Sequence, residues 1–203
     1  MKIYYSGASC SLACMIALHE AGLSYDKTKV DLQAGLTEDG TKFSTINDKG
    51  YVPYLMMDNG QGLSEGVAIM QYIADQKPAA GIAPANGTLE RTRLQEWLTY
   101  INSELHKTIG GLFNPAMNAE TKTQTIAAAN KKLAWLSTKL DGKDYLLGTF
   151  SIADGYLFTV LNWCQWVGID LAAYPVLVAF QARVGGRAGV QAALASAGLT
   201  KAA

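Results

Sequence analysis

The chain has 203 residues, 49% hydrophobic and 17% charged, with 17 basic and 17 acidic side chains and no formal net charge. That length makes one domain or two small ones, apolar enough to bury a core. The charge balance removes the basic surplus that a nucleic-acid or anionic-lipid partner requires, and no apolar run approaches the ~20 residues of a membrane helix.

The first residues, MKIYYSGASC, lack the apolar centre of a signal peptide. Three cysteines without framework spacing point to reduced thiols in a cytoplasm rather than a disulfide scaffold.

In chain order, Lys2–Tyr5 reads as a short strand and Gly7 with Ser9 as a turn. Ser11–Ala21 is predicted helical, with Leu12, Met15, Ile16 and His19 recurring on one face and Gly22 at the C-terminal cap position. Tyr25–Leu32 is a second strand, Ala34–Gly40 a polar loop, and a short helix is expected around Thr41–Ile46. Val52–Met57 is a third strand; Asp58-Asn59-Gly60 is a turn signal; Gly62–Ser64 is a brief fourth strand. Glu65–Gln76 then forms a helix, with Ser64 as its cap.

Residues 78–87 hold two prolines and two glycines and read as a linker between a 1–77 domain and an 88–203 domain. Beyond it no strand signal of similar strength occurs. Leu89–Phe113 is predicted as one long helix, with Leu94, Trp97, Leu98, Ile101, Leu105 and Ile109 on its buried side. Thr121–Leu140 is a second, and Ile152–Val167, apolar nearly all round, a central buried third. Shorter helices follow near Pro175–Val184 and Gly189–Ala197.

Five places carry candidate chemistry. Cys10 sits where the first helix begins, and amides and the helix dipole there favour a thiolate; the alternative is an inert packed cysteine. Cys14, one turn on, lacks redox C-x-x-C spacing and reads as packing, as does Cys164. Pro53 within a strand removes a ladder donor and belongs at an edge or bulge; on the dipeptide alone an ordinary trans bond is the default. Ser64-Glu65-Gly66 opens a helix, so the Gly66 amide can hold a carboxylate and Glu65 an amine, or the triplet is simply a cap. His106-Lys107 lies near the end of the long helix, where a charged imidazole is favoured. Ser151 and Asp154 form a capping box, a structural device. With two histidines and no paired-cysteine motif, no metal site is expected.

Together these segments resemble the bacterial beta-class cytosolic glutathione transferases over essentially the whole chain. The residues that carry the resemblance are MKIYY…CSLACMIALHEAG with Cys10, KGYVPYL with Pro53, LSEGVAIMQYIAD with Glu65 and Gly66, EWLTYINSELHK with His106, and FSIADGYLFTVL with Ser151 and Asp154.

The resemblance implies an α/β, thioredoxin-like N-terminal domain (βαβ then ββα, a mixed four-stranded sheet) and an all-helical C-terminal domain. It implies a cytoplasmic, homodimeric enzyme that conjugates glutathione, its co-substrate, to hydrophobic electrophiles in detoxification. Cys10 is then expected to face the glutathione sulfur and to form a mixed disulfide with it. Val52, before a cis-Pro53, would pair with the cysteinyl backbone, and Glu65 and Gly66 would hold the γ-glutamyl end. Ser103 and Glu104 of the partner subunit would reach that end too, and His106 would serve the catalytic centre with Cys10. Lys107 also matches. Thiol exchange or peroxidase activity through Cys10, and a non-catalytic ligand-binding protein on the same fold, are the competing expectations.

Trp163, Trp166 and Phe113 are candidate walls of an electrophile pocket. The chain departs from the family pattern at Gly35, where a lysine is usual, at Thr99, where asparagine is usual, and at Asp48, where proline is usual. Loss of an exposed lysine–carboxylate contact costs ~1 kcal/mol or less, so weaker glutathione binding is expected.

Overall fold

The computed structural model describes residues 1–199 of the 203; the expected end of the second domain at residue 203 lies outside them. The chain divides into two compact units, Met1–Ala83 together with the chain from Arg187 onward, and Pro84–Gly186.

The first unit is built on a five-stranded sheet in the order β3-β2-β1-β4-β5. β1 (Lys2–Tyr5) pairs in parallel with β2 (Asp26–Asp31) and antiparallel with β4 (Tyr54–Met56). The parallel pair requires a crossover, and α1 (Ser11–Ala21) supplies it, ending at Gly22 as expected. β4 turns into β5 (Gly62–Ser64) through the Asp58-Asn59-Gly60 signal, giving an antiparallel pair. α2 (Gly66–Gln76) follows.

The thioredoxin-like βαβ-ββα order is therefore present, with one strand more than the four expected. β3 (Leu36–Thr37) is two residues long and pairs antiparallel with β2 inside the segment read as a loop. A two-residue strand has no period-2 pattern to detect. The expected helix at 41–46 is a single 3₁₀ turn, Phe43–Thr45. On one side of the sheet Tyr4, Phe43 and Tyr54 pack as an aromatic trio, centroids 5.6–6.5 Å apart, with Phe43 and Tyr54 edge to face and Val30 and Val52 buried beside them. α1 is buried along most of its length and packs against α2.

The last helix, α9 (Ala188–Ser196), packs on α1 in this first unit, although the sequence reading placed everything from 88 to 203 in one helical domain. Arg187 forks onto Glu20 with bonds of 2.8 and 2.7 Å, and the Glu20 side chain is only 8% exposed. Lys27 donates to Ser196, and Tyr25 bridges His19 and Ser196. Such long-range ties leave no local trace in a helical pattern.

The second unit contains no strand among its residues. The expected helix 89–113 is α3 (Leu89–Tyr100), a π-helical turn (Ile101–His106) and α4 (Lys107–Gly111). Leu94, Leu98, Ile101, Leu105 and Ile109 are buried as predicted, whereas Trp97 is only half-buried. α5 (Ala119–Leu140) begins on Asn118, whose side chain accepts from Thr121 N–H. The third helix breaks earlier than expected: α6 (Ile152–Leu161), all ten residues buried, stops, and α7 (Cys164–Val167) restarts after Asn162-Trp163. Asn162 Oδ1 accepts there from Gln181 on α8 (Pro175–Gly185). Among the described residues no helix is long and apolar enough to cross a membrane, and no group of three acidic, histidine or cysteine side chains suits a metal ion.

Candidate active site

In the first unit the turn after β1 delivers Cys10 to the start of α1. Ser9 Oγ lies 2.7 Å from Ser11 Oγ and accepts from Ser11 N–H, so the approach to the helix is pinned by two serines that the sequence reading placed in the turn and at the helix start but not in the site. Cys10 has no side chain capping its helix, is half-buried, and its thiol donates to the Val52 carbonyl at 3.6 Å.

The Val52-Pro53 bond is cis, as the resemblance implied and the dipeptide alone did not. The loop leading into it is shaped by Asn47, whose amide donates to Tyr51 carbonyl at 2.8 Å. Cys14 is fully buried and its thiol lies 3.7 Å from Gly66 carbonyl, tying α1 to the start of α2. All three cysteines are free.

The expectation of an anionic Cys10 is corrected by its surroundings. Burial pushes its thiol up to about 11, the backbone N–H groups of Cys10 and Ser11 pull it back only in part, and Glu65 pushes it further up. Burial outweighs the two amides, so Cys10 is a neutral thiol near pH 7. Burial likewise pushes Cys14 well above its ordinary range and Cys164 to about 12, which fits packing roles.

Glu65, not Ser64, precedes the first residue of α2, and it caps nothing with its side chain. It is the one non-glycine described residue with positive φ, at 71° with ψ 109°. That conformation costs a side-chain-bearing residue ~1–3 kcal/mol and concentrates at functional sites. Its carboxylate is 69% exposed and pairs with Lys49 Nζ at 2.9 Å, while the same ammonium reaches Ser64 Oγ at 3.0 Å. Lys49 opens the KGYVPYL motif, but the sequence reading gave it no role in the site.

In the second unit the π-helical turn carries Ser103, Glu104 and His106. A π turn is rare and recurs at functional sites. Ser103 is exposed, and Glu104 forms an ion pair with Lys132 of α5 in the same chain. His106 Nδ1 lies 2.6 Å from the Tyr156 hydroxyl, which itself donates to Asn102 Oδ1 at 3.0 Å. The Trp163 ring meets the imidazole edge-on at 4.8 Å and Phe113 stands 6.2 Å from Trp163. Trp166, the third candidate wall, is 53% exposed.

The expected charged His106 is also corrected: burial first, then Lys107, lowers it below the ordinary histidine range. Tyr156 was missed. Its signal was a tyrosine in an otherwise apolar buried helix, where the hydroxyl must find a polar partner.

The capping box is present. Asp154, fully buried, accepts from Ser151 N–H at 2.8 Å, from Ser151 Oγ–H at 2.8 Å and from Leu146 N–H at 2.9 Å. Burial still raises its carboxyl to about 6.

A thioredoxin-like unit with a cysteine opening its first helix opposite a cis-proline, followed by a helical unit, defines a class of thiol-handling proteins. Residues 2–75 match the glutathione S-transferase N-terminal domain model and residues 95–188 the C-terminal domain model. The chain is 40% identical over 200 residues to glutathione S-transferase GstA of Escherichia coli O157:H7, covering 98% of this chain and 100% of that protein. Its fold matches BphK, a bacterial glutathione transferase solved as a ternary complex, at TM-score 0.96 with 50% identity over 98% and 100% of the two chains. It matches a sphingomonad glutathione S-transferase complexed with glutathione at TM-score 0.95 and 45% identity, with the same coverage. The chain belongs to the glutathione S-transferase family.

Proposed function

We propose that this glutathione transferase joins the glutathione sulfur to a hydrophobic electrophile, with Cys10 and His106 serving the sulfur. Val52 and Pro53, with Glu65 and Gly66, hold the peptide. The observation that carries this reading is the Cys10 thiol set 3.6 Å from the carbonyl of Val52, the residue before the cis-proline. An extended peptide laid along that edge would bring its cysteinyl sulfur to Cys10, its backbone paired with Val52.

In the conjugation the S–H bond of glutathione breaks, its proton passes to His106 and on to water, its electron pair forms the new S–C bond, and the electrophile's leaving group departs with the pair it held. A neutral Cys10 suits a donor toward the glutathione thiolate better than a nucleophile of its own. For that reason conjugation is favoured over Cys10-dependent thiol exchange.

Further parts of the reading are homodimer formation, with Ser103 and Glu104 of the partner subunit assisting at the γ-glutamyl end, and a cytoplasmic location. The resemblance supports both, and the free cysteines fit the cytoplasmic location. Activity is tested with glutathione and, in turn, a chloro-aryl substrate, a mixed disulfide and a hydroperoxide, on the wild type and Cys10→Ala. Aryl conjugation by the wild type is expected. Retention on immobilised glutathione without turnover of any of the three would establish a ligand-binding protein instead. Sedimentation reads the dimer.

A further inference from the structure

We propose that Tyr156 and Asn102 are positioning residues that hold neutral His106 in one tautomer, with the proton on Nδ1 and a lone pair on Nε2. The inference rests on the reading of His106 as a residue of the conjugation centre. It goes beyond that reading by assigning which nitrogen acts and what selects it.

The argument is one of proton counting. The Tyr156 hydroxyl carries one hydrogen. It lies 3.0 Å from Asn102 Oδ1, an atom that can only accept, so that hydrogen is spent there. The 2.6 Å contact with His106 Nδ1 must then be made by a hydrogen on the nitrogen, with Tyr156 as acceptor. In a neutral imidazole a protonated Nδ1 leaves Nε2 bare.

The structure gives this selection a frame. The π turn sets Asn102 and His106 four residues apart in the sequence, both reaching the one hydroxyl of Tyr156 on α6. Tyr156 itself is 3% exposed and His106 is half-buried, while Asn102 reaches the hydroxyl from the surface. Packing restricts the ring as well. The Trp163 and imidazole ring centroids are 4.8 Å apart, and a Cβ added at Gly110 would come within 3.2 Å of the imidazole Cδ2.

A bare Nε2 is the acceptor that a thiol needs. The S–H bond of glutathione breaks, the proton passes to Nε2, and the electron pair remains on sulfur for attack. The resulting imidazolium keeps the same Nδ1–H···Tyr156 bond, so no group has to turn when the proton arrives. The opposite tautomer would present an N–H to the thiol and could not take its proton.

The test uses the whole protein, labelled with ¹⁵N-histidine, at a pH where His106 is neutral. The sequence has two histidines, and a His19→Gln variant assigns the spectrum. Two-bond ¹H–¹⁵N correlations separate the two neutral tautomers. The wild type is expected to show His106 with a protonated Nδ1. Tyr156→Phe, which keeps the ring and removes the hydroxyl, should mix the tautomers, while Asn102→Asp, which keeps an acceptor for Tyr156, should preserve the wild-type pattern.

In turnover, Tyr156→Phe should lower kcat by about tenfold, less than the ~100-fold or more of a lost acid–base group because the competent tautomer is diluted rather than removed, with the KM for glutathione within about twofold. A wild-type His106 protonated on Nε2, or a tautomer unchanged in Tyr156→Phe, would overturn the inference. A tautomer that mixes in Tyr156→Phe with kcat unchanged would uphold the positioning role and remove His106 from the conjugation step.

Discussion

Two helices, one in each unit, begin on an acidic group, and the two beginnings are built in opposite ways. At the start of α6 the carboxylate of Asp154 is buried and turned back on its own chain, accepting three hydrogen bonds from Ser151 and Leu146. At the start of α2 the carboxylate of Glu65 is exposed, faces Lys49, and the residue sits at φ 71°. The first helix end is closed by its own residues, which is what stability asks of the orphan amides there. The second carries strain and leaves its acid at the surface, which is what a binding site asks. The longest helices follow the same contrast: Thr88 and Asn118 cap α3 and α5 in the helical unit, whereas Cys10 and Glu65 leave α1 and α2 without a side-chain cap in the thioredoxin-like unit.

Removing the closed end should have the largest effect. Asp154→Ala leaves three buried donors without an acceptor, at a cost of ~3–5 kcal/mol. For a chain of this size that is a fall in Tm of about 6–20 °C by calorimetry. A loss under about 2 °C would mean the box is not closed as described.

The same residue sets a pH signature. Its folded-state carboxyl, at about 6, is raised above the unfolded value, so the folded state holds the proton longer. Its contribution is therefore fully present below about 4 and is lost as pH rises through about 6. Asp154→Asn should flatten that part of the Tm–pH curve.

At the uncapped end of α1 the prediction concerns reactivity. With its thiol at about 11, Cys10 in the glutathione-free protein should be alkylated by iodoacetamide at pH 7 about 100-fold more slowly than an ordinary exposed thiol. The rate should keep rising to pH 10. Mass spectrometry of the alkylated peptide reads this directly, and a plateau below pH 8 would show that the amides do prevail over burial.

Much of this contrast was open to sequence reading, and the exceptions share a cause. Hydrophobic period, turn residues and the Ser151–Asp154 spacing are local, and they located α1, β4, β5, α5 and the start of α6 closely, while the end of α6 was placed six residues too late. The N-terminal side of α2 was misread at one residue, because a serine before a helix is usually its cap and no pattern announces a glutamate at positive φ. The π turn at Ile101–His106 was invisible for a similar reason: an inserted backbone hydrogen-bond register leaves the apolar spacing nearly intact. Cys10 and His106 were located as candidates, but the sign of both ionisations came out reversed. Burial is a tertiary property, and the helix-end argument that a sequence supports is the smaller effect at each. Tyr156 and Lys49 lie 50 and 16 residues from the groups they bind.

Opening the strained end should cost function and not stability. Glu65→Gly relieves the positive φ while losing an ion pair whose partners are 49% and 69% exposed, worth under ~1 kcal/mol. The protein should be unchanged or stabler by ~1 kcal/mol in urea, with glutathione affinity reduced about tenfold by calorimetric titration. A destabilised Glu65→Gly would mean the residue is a structural cap after all.

The smallest effect, and the sharpest check on the strain argument, comes from Gly35. Its φ of 68° nearly equals that of Glu65, yet here the chain uses glycine. Gly35 N–H donates to Asp31 carbonyl at 2.8 Å and its carbonyl accepts from Phe43 N–H at 2.9 Å, so the backbone must hold that conformation to join β2 to β3. A Cβ at Gly35 would meet nothing within 4 Å, which leaves the dihedral as the whole penalty. Gly35→Lys should therefore cost about 1 kcal/mol of stability, opposite in sign to Glu65→Gly at almost the same φ. Any gain in glutathione affinity from the new ammonium is ~1 kcal/mol or less at an exposed edge. Urea unfolding and glutathione titration of the same variant separate the two. Unchanged stability would show that the β2–β3 turn relaxes to accept a side chain. Unchanged affinity would show that the missing lysine does not limit binding here.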